Sequence, residues 1–208
     1  GRAGAVVSRV VAVSAGLSES SSTTRLAHRI GDALAEADPA GAFEVVTLRE
    51  MAGQIAEATV VGFAAPRLQA VIDQVTAADA VVLVSPTYQG SFSGLWKSFM
   101  DALDSDALIG KPVLLAATGG TARHSLVVDH AMRPVLAYLQ AFVVPTGVFA
   151  SPHDWGGDGT EALGGRVERA VAELMSVVDG GGTGRTRDDS IDLFSETMRS
   201  ITNARNPD

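Results

Sequence analysis

Residues 80–94, with the sequence AVVLVSPTYQGSFSG, carry the strongest fold signal in the chain. The first five form an unbroken apolar run, which predicts a parallel strand covered by helices on both faces. We expect this strand to end before Ser85, where a Pro, an aromatic residue and glycines follow. Because ligands of open α/β sheets bind beyond the carboxyl ends of central strands, the segment from Ser85 is a candidate ligand site.

Strand and helix signals alternate along residues 6–178. Apolar runs rich in β-branched residues predict four further strands, at residues 6–13, 43–48, 112–117 and 142–149. Apolar residues at helical spacing predict helices between the strands, whereas residues 49–65 lack a clean period and are interpreted as a connection with or without helical turns. Five strands alternating with helices indicate an α/β fold with a doubly wound parallel sheet.

The same pattern predicts the domain organisation. We expect one domain over residues 1–179, followed over residues 180–208 by a Gly-rich linker and a helical tail. The tail helix has one apolar face, formed by Ile191, Phe194, Met198 and Ile201. Such a face on a tethered helix is typical of a docking surface, either on the same subunit or on a partner.

The composition excludes several classes of function. The 208 residues include 16 basic and 24 acidic side chains without a local basic patch, so we expect no nucleic-acid or membrane partner. The absence of cysteine excludes disulfides, zinc-thiolate sites, iron–sulfur clusters and cysteine nucleophiles. Redox chemistry in this chain would therefore need a cofactor. No apolar run approaches the ~20 residues of a membrane helix, and we expect a cytoplasmic protein.

The histidines do not indicate a catalytic or metal site. The four His residues lack a close cluster of His, Asp or Glu, and no Gly-x-Ser-x-Gly nucleophile motif accompanies them. We therefore predict no catalytic side chain and no metal ligand. His124 is predicted to be a polar contact beside a ligand, and His153 is predicted to lie at a solvated surface or interface.

A hydroxyl-rich turn follows the first predicted strand. Residues 18–24, between that strand and a helix, contain six Ser or Thr side chains. Such a turn places backbone N–H groups, the positive end of the helix dipole and hydroxyl donors around one point, which suits a phosphate monoester. It has neither the glycine spacing of dinucleotide-binding folds nor the Lys-Ser/Thr pair of triphosphate-binding loops. The alternative is that these residues only cap the helix and form a loop.

A third candidate segment, TGGTARH at residues 118–124, follows the fourth predicted strand. In a sheet of order 2-1-3-4-5, the ends of strands one, three and four share one edge, so all three segments converge there. The glycine pair lets backbone amides approach a polar ring edge, and Tyr88 offers an aromatic face. Taken singly, the glycine pair is an ordinary tight turn and Tyr88 is an ordinary loop aromatic. Taken together, the three segments favour a ligand that has a ring system and a phosphate tail.

The three segments together resemble the NADPH-dependent FMN reductase family of the flavodoxin-like superfamily. The resemblance covers residues 6–178 and is carried by the turn at 14–24, the SPTYQGSFSG segment with the LWK that follows it, and ATGG at 117–120. It implies a flavodoxin-like five-stranded sheet of order 2-1-3-4-5 with FMN at its carboxyl edge. It also implies that the helix from Ser93 is a dimer helix, with Trp96 and Phe99 at a subunit interface.

The resemblance implies a role for each matching position. The flavin phosphate would lie in the first turn, and the isoalloxazine ring between the other two segments. The positions that match the phosphate turn are Ser14, Ser18, Ser21, Ser22 and Thr23. The positions that match the ring-binding segments are Pro86, Thr87, Tyr88, Gln89, Gly90, Thr118, Gly119 and Gly120. Many family members have Arg where Ser18 stands, so hydroxyls and amides alone would bind the phosphate here.

The implied reaction is hydride transfer from NADPH or NADH to flavin N5, for which the protein must position two rings. Amides of the Gly119–Gly120 turn would stabilise negative charge on the reduced ring, and Gly119→Val is expected to block flavin binding without unfolding the protein. The sequence does not decide which cationic side chain contacts the phosphates of the nicotinamide nucleotide. The candidates are Arg123, Lys97 and Arg25.

The leading hypothesis is an NAD(P)H:FMN oxidoreductase, a homodimer or homotetramer, that supplies reduced FMN to a separate flavin-dependent monooxygenase. One alternative keeps FMN bound and reduces quinones, azo dyes or metal oxyanions. Another is a non-enzymatic electron carrier like flavodoxin.

Overall fold

The computed structural model describes residues 8–181, which form one sheet with helices on both faces. The strands are β1 (Arg9–Ser14), β2 (Ala42–Thr47), β3 (Ala80–Tyr88), β4 (Ser91–Phe92), β5 (Pro112–Thr118), β6 (Phe142–Val143) and β7 (Val148–Ala150). The α-helices are α1 (Ser22–Ala37), α2 (Ala52–Val61), α3 (Pro66–Ala77), α4 (Gly94–Ala102), α5 (Arg133–Tyr138) and α6 (Asp158–Asp179). The predicted helical tail lies outside the described residues.

The sheet order β2-β1-β3-β5-β6 confirms the predicted α/β class and strand order, because β5 and β6 take the fourth and fifth positions. Every pairing along this path is parallel. The predicted count of five strands is too low, since the described sheet has seven. The extra strands are β4, which pairs antiparallel with β3, and β7, which pairs with β5 beyond a break in the last predicted strand.

The break in the last predicted strand follows from its sequence. The amide of Val144 donates to the carbonyl of Val113 at 2.9 Å, but Pro145 has no amide with which to continue the ladder. The chain returns to the sheet at Val148–Ala150, beside the carboxyl end of β5. The segment after β7 therefore starts at the same edge as the segments after β3 and β5.

The predicted end of the third strand is wrong. β3 continues to Tyr88 and turns back at Gln89 and Gly90, whose φ angles of 49° and 79° belong to a left-handed turn. A two-residue turn of this kind joins antiparallel strands, here with Thr87 opposite Phe92. The extension could not be predicted from the apolar pattern, because the apolar run stops before the hairpin begins.

The hydrophobic core lies in two layers, one on each face of the sheet. Along β3, Val81 and Leu83 pack in the layer with α2, α3, α4 and α5. Val82 and Val84 point the other way and pack in the layer with α1 and α6. This alternation explains why the strand reads as a continuous apolar run, since both of its faces are covered.

The expectation for α4 was wrong in one respect. Trp96 and Phe99 were predicted at a subunit interface, but both are 0% exposed within the single chain and belong to the core. The ring of Phe92 lies 4.8 Å from that of Trp96, centroid to centroid. The expectation came from the resemblance to the family's dimer helix, and the sequence did not contradict it because an apolar helical stripe looks the same whether it faces its own core or a partner.

The ambiguous connection at residues 49–65 is largely helical. A 3₁₀ turn at Leu48–Met51 runs into α2, and α3 begins at Pro66 as its sequence predicts. Within residues 8–181, no single helix has the length and hydrophobicity to cross a membrane. Only Leu48–Val61 and Pro66–Ala77 taken together reach that length, across a bend of 89°.

Candidate functional site

A cleft of about 650 Å³ opens at the carboxyl edge of the sheet. Four segments line it: the turn after β1, the end of β3, the end of β5 and the turn after β7. The lining residues are Leu17, Ser18, Ser20, Ser21, Ser22, Thr23, Arg25, Pro86, Thr87, Tyr88, Thr118, Gly119, Gly120, Ala150, Ser151, Pro152 and Trp155. The three predicted segments thus meet at one cleft, where their strands end.

The turn after β1 is built around the start of α1. Ser21 caps the helix, and its hydroxyl accepts a hydrogen bond from the amide of Thr23 at 3.2 Å. The turn passes so close to this cap that a Cβ added at Gly16 would lie 2.7 Å from the Ser21 Cβ. The Thr23 hydroxyl is hydrogen-bonded to that of Thr118 at 2.8 Å, which ties the start of α1 to the end of β5.

The predicted phosphate residues do not all reach the cleft surface. Ser18 and Ser22 line the cleft with exposed side chains. Ser14, by contrast, is completely buried, and its hydroxyl is hydrogen-bonded to that of Thr24 at 2.9 Å. Ser14 therefore lies beneath the turn and supports it from inside.

The end of β3 forms a second wall through Pro86, Thr87 and Tyr88. Tyr88 is 47% exposed, so part of its surface on this wall is open to solvent. The Thr87 hydroxyl oxygen is buried but has no hydrogen-bond partner among the described residues. Thr87 therefore contributes to this wall while its hydroxyl oxygen lies beneath the accessible surface.

Two predicted ring-binding residues lie outside the cleft wall. Gln89 and Gly90 are the left-handed residues of the turn between β3 and β4. They hold the hairpin that carries Tyr88, and neither lines the cleft.

The two predicted glycines after β5 differ in their surroundings. The Gly119 amide donates to the Ala150 carbonyl at 3.1 Å and is therefore used within the protein. The Gly120 amide has no acceptor among the described residues, and a Cβ added at Gly120 would meet no atom within 4 Å. Of the two amides expected to face a ligand ring, Gly120 is the one left available.

The turn after β7 was not among the segments predicted to form the site. This turn completes the cleft with Ala150, Ser151, Pro152 and Trp155. A topological signal was present, since the last strand of a parallel sheet ends at the same edge as the others. His124 was predicted to contact the ligand but is exposed and does not line the cleft, and His153 is exposed as predicted.

Of the three cations proposed from sequence, Arg25 lines the cleft. Its guanidinium carbon lies 4.2 Å from the centroid of the Trp155 ring, the distance of a cation–π contact. Lys97 instead pairs with Asp101 one turn along α4 at 2.6 Å, and Arg123 is exposed outside the cleft.

The turn that carries Trp155 is held by Asp154. Its carboxylate accepts hydrogen bonds from the amide and the hydroxyl of Ser151, at 2.8 and 2.6 Å. Burial acts to raise the pKa of Asp154, but these two bonds and the positive charges of Arg166 and His153 lower that pKa below its ordinary value. The ionised carboxylate therefore stabilises this wall of the cleft.

Known sequences match most of this chain. The sequence model of the NADPH-dependent FMN reductase family matches residues 8–156. An FMN reductase (NADPH) of Pseudomonas aeruginosa is 39% identical over 175 residues, which cover 83% of this chain and 93% of that protein. An NADH-dependent FMN reductase of Pseudomonas putida is 41% identical over 145 residues, covering 68% of this chain and 76% of that protein.

Solved structures share the fold. An oxidoreductase from Corynebacterium diphtheriae superposes with a TM-score of 0.79 at 38% identity, covering 84% of this chain and 98% of that one. A flavodoxin, WrbA-like protein from Agrobacterium tumefaciens superposes with a TM-score of 0.54 at 17% identity, covering 82% and 99%, and shows the fold alone. The predicted flavodoxin-like fold is therefore confirmed.

Proposed function

We propose that the cleft at the carboxyl edge of the sheet is the flavin site. The reason is that the chain belongs to the NADPH-dependent FMN reductase family. The chain is an NAD(P)H-dependent FMN reductase that uses FMN and a nicotinamide nucleotide. The observation that carries the site assignment is that three segments distant in sequence line one cleft.

The cleft fits FMN in size and in chemistry. Its volume of about 650 Å³ lies within the range of about 300–1,000 Å³ usual for small-molecule sites. The hydroxyls of Ser18 and Ser22, beside the start of α1, suit a phosphate monoester. At the other end, the Gly120 amide suits the polar edge of a flat ring.

The residues of this chain act by binding and orienting. Bound FMN supplies the hydride acceptor. Pro86 and Tyr88 provide one wall for its ring, and Thr118 to Gly120 provide the facing wall. The described lining residues include no carboxylate and no imidazole, and the role that we propose for the protein is to hold the two reacting rings in contact.

We further propose that FMN is a dissociating substrate and that the reduced flavin is passed to a separate flavin-dependent monooxygenase. The cleft walls support exchange, because Leu17 is 49% exposed and Tyr88 is 47% exposed. Neither residue closes over the cleft as a lid in the part of the chain that the structure describes.

Anaerobic turnover tests this proposal. The flavin-free protein is mixed with NADPH or NADH and increasing FMN, and the products are separated from protein by rapid ultrafiltration. We expect a rate that saturates with FMN and reduced FMN that passes through the filter. A flavin that stays with the protein, is reduced once and releases no reduced FMN into the filtrate would instead support an FMN-bound reductase of quinones, azo dyes or metal oxyanions.

The oligomeric state of the chain, its division into domain and tail, and its cellular location are also proposals. A homodimer or homotetramer is supported by the exposed Tyr138, 86% accessible, beside an apolar groove lined by Met100, Val135 and Leu139. A sedimentation mass near that of one chain, 21.4 kDa, would contradict it. The division between a domain at residues 1–179 and a tail, and the cytoplasmic location, stay predictions from the sequence.

A further inference from the structure

We propose that Arg25 is the cationic partner of the flavin phosphate and makes the site select FMN over flavins without a phosphate. This inference rests on the proposed flavin site. It replaces the expectation from the family resemblance that hydroxyls and amides alone bind the phosphate where Ser18 stands in place of Arg.

Arg25 has the right position for this role. It is the fourth residue of α1 and lines the cleft together with the hydroxyl-bearing turn that precedes the helix. Among the described residues that line the cleft, it carries the one charged side chain. A phosphate bound by Ser18, Ser20 and Ser22 therefore has this guanidinium as its nearest positive side chain within the cleft wall.

The charge of Arg25 has no carboxylate partner in the described part of the chain. Two other arginines do have such partners, since Arg49 pairs with Glu19 at 3.2 Å and Arg67 pairs with Glu50 at 2.6 Å, whereas Arg29, one turn along α1, donates to the Thr160 carbonyl at 2.8 Å. Arg25 stacks on Trp155 instead. Stacking uses the flat face of a guanidinium and leaves its in-plane N–H groups free to bind an anion in two-pronged fashion.

The location of this charge is unfavourable unless an anion binds. The start of a helix carries a partial positive charge, so a cation there is repelled, and the first turn of α1 contains no acidic residue that would offset it. A phosphate monoester near neutral pH carries a charge of about −1.5 to −2. It therefore attracts both the Arg25 guanidinium and the positive start of the helix. The isolated cation and the helix start thus favour the same ligand group.

Trp155 is the positioning residue for Arg25. The turn that carries it is fixed by the two hydrogen bonds from Ser151 to Asp154, so the indole ring presents a stable surface at the cleft wall. A guanidinium held against this ring loses less conformational freedom on binding phosphate than a free side chain would.

The test compares FMN with riboflavin, which has the same ring but no phosphate. Dissociation constants are measured by flavin fluorescence titration of the flavin-free protein, for the wild type, Arg25→Gln, Arg25→Lys and Arg123→Gln. Arg123→Gln is the matched control, since it removes the same charge from an exposed position outside the cleft. We expect Arg25→Gln to raise the Kd of FMN about tenfold to a hundredfold, as for loss of one charge-assisted hydrogen bond, and to leave that of riboflavin within about twofold.

The other variants and the salt dependence make the result specific. Arg25→Lys keeps the charge but loses the planar fork, and we expect an FMN Kd between those of the wild type and Arg25→Gln. Added salt should weaken FMN binding to the wild type more than to Arg25→Gln. Circular dichroism checks that each variant is folded. If Arg25→Gln does not fold, the FMN Kd of Arg25→Lys and the salt dependence of FMN binding to the wild type test the inference instead.

Three results would overturn the inference. Equal weakening of FMN and riboflavin would assign Arg25 to the ring or to the fold. An unchanged FMN Kd with a raised KM for NADPH would assign it to the nicotinamide nucleotide. An Arg123→Gln effect equal to that of Arg25→Gln would show a general charge effect. Failure of the wild type to bind either flavin would instead reject the proposed flavin site itself.

Discussion

At the scale of single residues, the glycine pair after β5 shows how neighbouring positions differ in role. The Gly119 amide is bonded to Ala150, and a Cβ added at Gly119 would lie 2.9 Å from Cζ of Phe149. A Cβ added at Gly120 meets open space at the cleft wall. Gly119 therefore packs the loop against the protein, and Gly120 leaves its backbone open to the cleft.

Gly120→Val is expected to weaken FMN binding at least tenfold while leaving the fold stable, because the new side chain occupies the cleft. Gly119→Val is expected to lower the free energy of unfolding by about 1–3 kcal/mol, because it crowds the Phe149 ring. Flavin titration and urea unfolding of both variants check these outcomes. A stable Gly119→Val protein would support the simpler expectation from sequence.

Asp154 makes the wall of the cleft sensitive to acid. Its pKa is lowered in the folded protein, so the ionised carboxylate stabilises the fold above its unfolded-state pKa, and this contribution is lost as pH falls through the folded-state pKa. We expect Asp154→Asn to be less stable than the wild type at pH 7, with a difference that shrinks in acid. Urea unfolding over a pH series measures this, with Asp73→Asn on the exposed surface of α3 as control. A difference that does not vary with pH would contradict the assignment.

At the scale of elements, the hairpin of β3 and β4 and the helix α4 form one unit. The buried Ser85 hydroxyl accepts a hydrogen bond from the Ser93 amide at 3.0 Å, and the Ser93 hydroxyl caps α4 by accepting from the Trp96 amide at 3.2 Å. The ligand-facing end of β3 is thereby joined to a helix whose apolar face lies in the core. A rigid core helix holds the cleft wall in place.

Trp96→Ala tests the placement of α4. Since the side chain is fully buried, its removal is expected to lower the free energy of unfolding by about 3–5 kcal/mol at every protein concentration. Val60→Ala, at an exposed position of α2, is the control and should change it little. Unchanged chain stability together with a loss of oligomers would restore the interface interpretation.

At the scale of the whole molecule, the cleft exists only because distant segments are joined across the sheet edge. The Thr23 to Thr118 bond connects α1 with β5, and the Gly119 to Ala150 bond connects β5 with β7. A ligand that contacts all four lining segments therefore stabilises the native arrangement of the sheet as a unit.

FMN at one hundred times its Kd is expected to raise the free energy of unfolding by about 2.7 kcal/mol. For a domain of this size, that corresponds to an increase in Tm of about 5–10 °C. Thermal unfolding with and without FMN measures the effect, and Gly120→Val should show a smaller increase at the same FMN concentration. A Tm that stays constant up to saturating FMN would contradict binding to the folded cleft.

The strands, helices and shared sheet edge were predictable from sequence because they depend on local periodicity and on general rules of parallel sheets. Apolar runs such as residues 80–84 and the hydroxyl-rich turn at residues 18–24 carry that signal by themselves. They were sufficient to predict strands alternating with helices, and the strand order that brings three segments to one edge came from the family resemblance.

The composition of the cleft surface was decided by tertiary structure. Whether Trp96 faces the core, whether Ser14 or Ser18 meets the cleft, and whether Arg25 has a partner all depend on contacts between residues far apart in the chain. Local patterns do not encode such contacts, because an apolar stripe, a hydroxyl or a cation has the same sequence signal in either environment. The sequence therefore determined at which edge of the sheet the cleft lies, and long-range packing and hydrogen bonding determined which side chains line it.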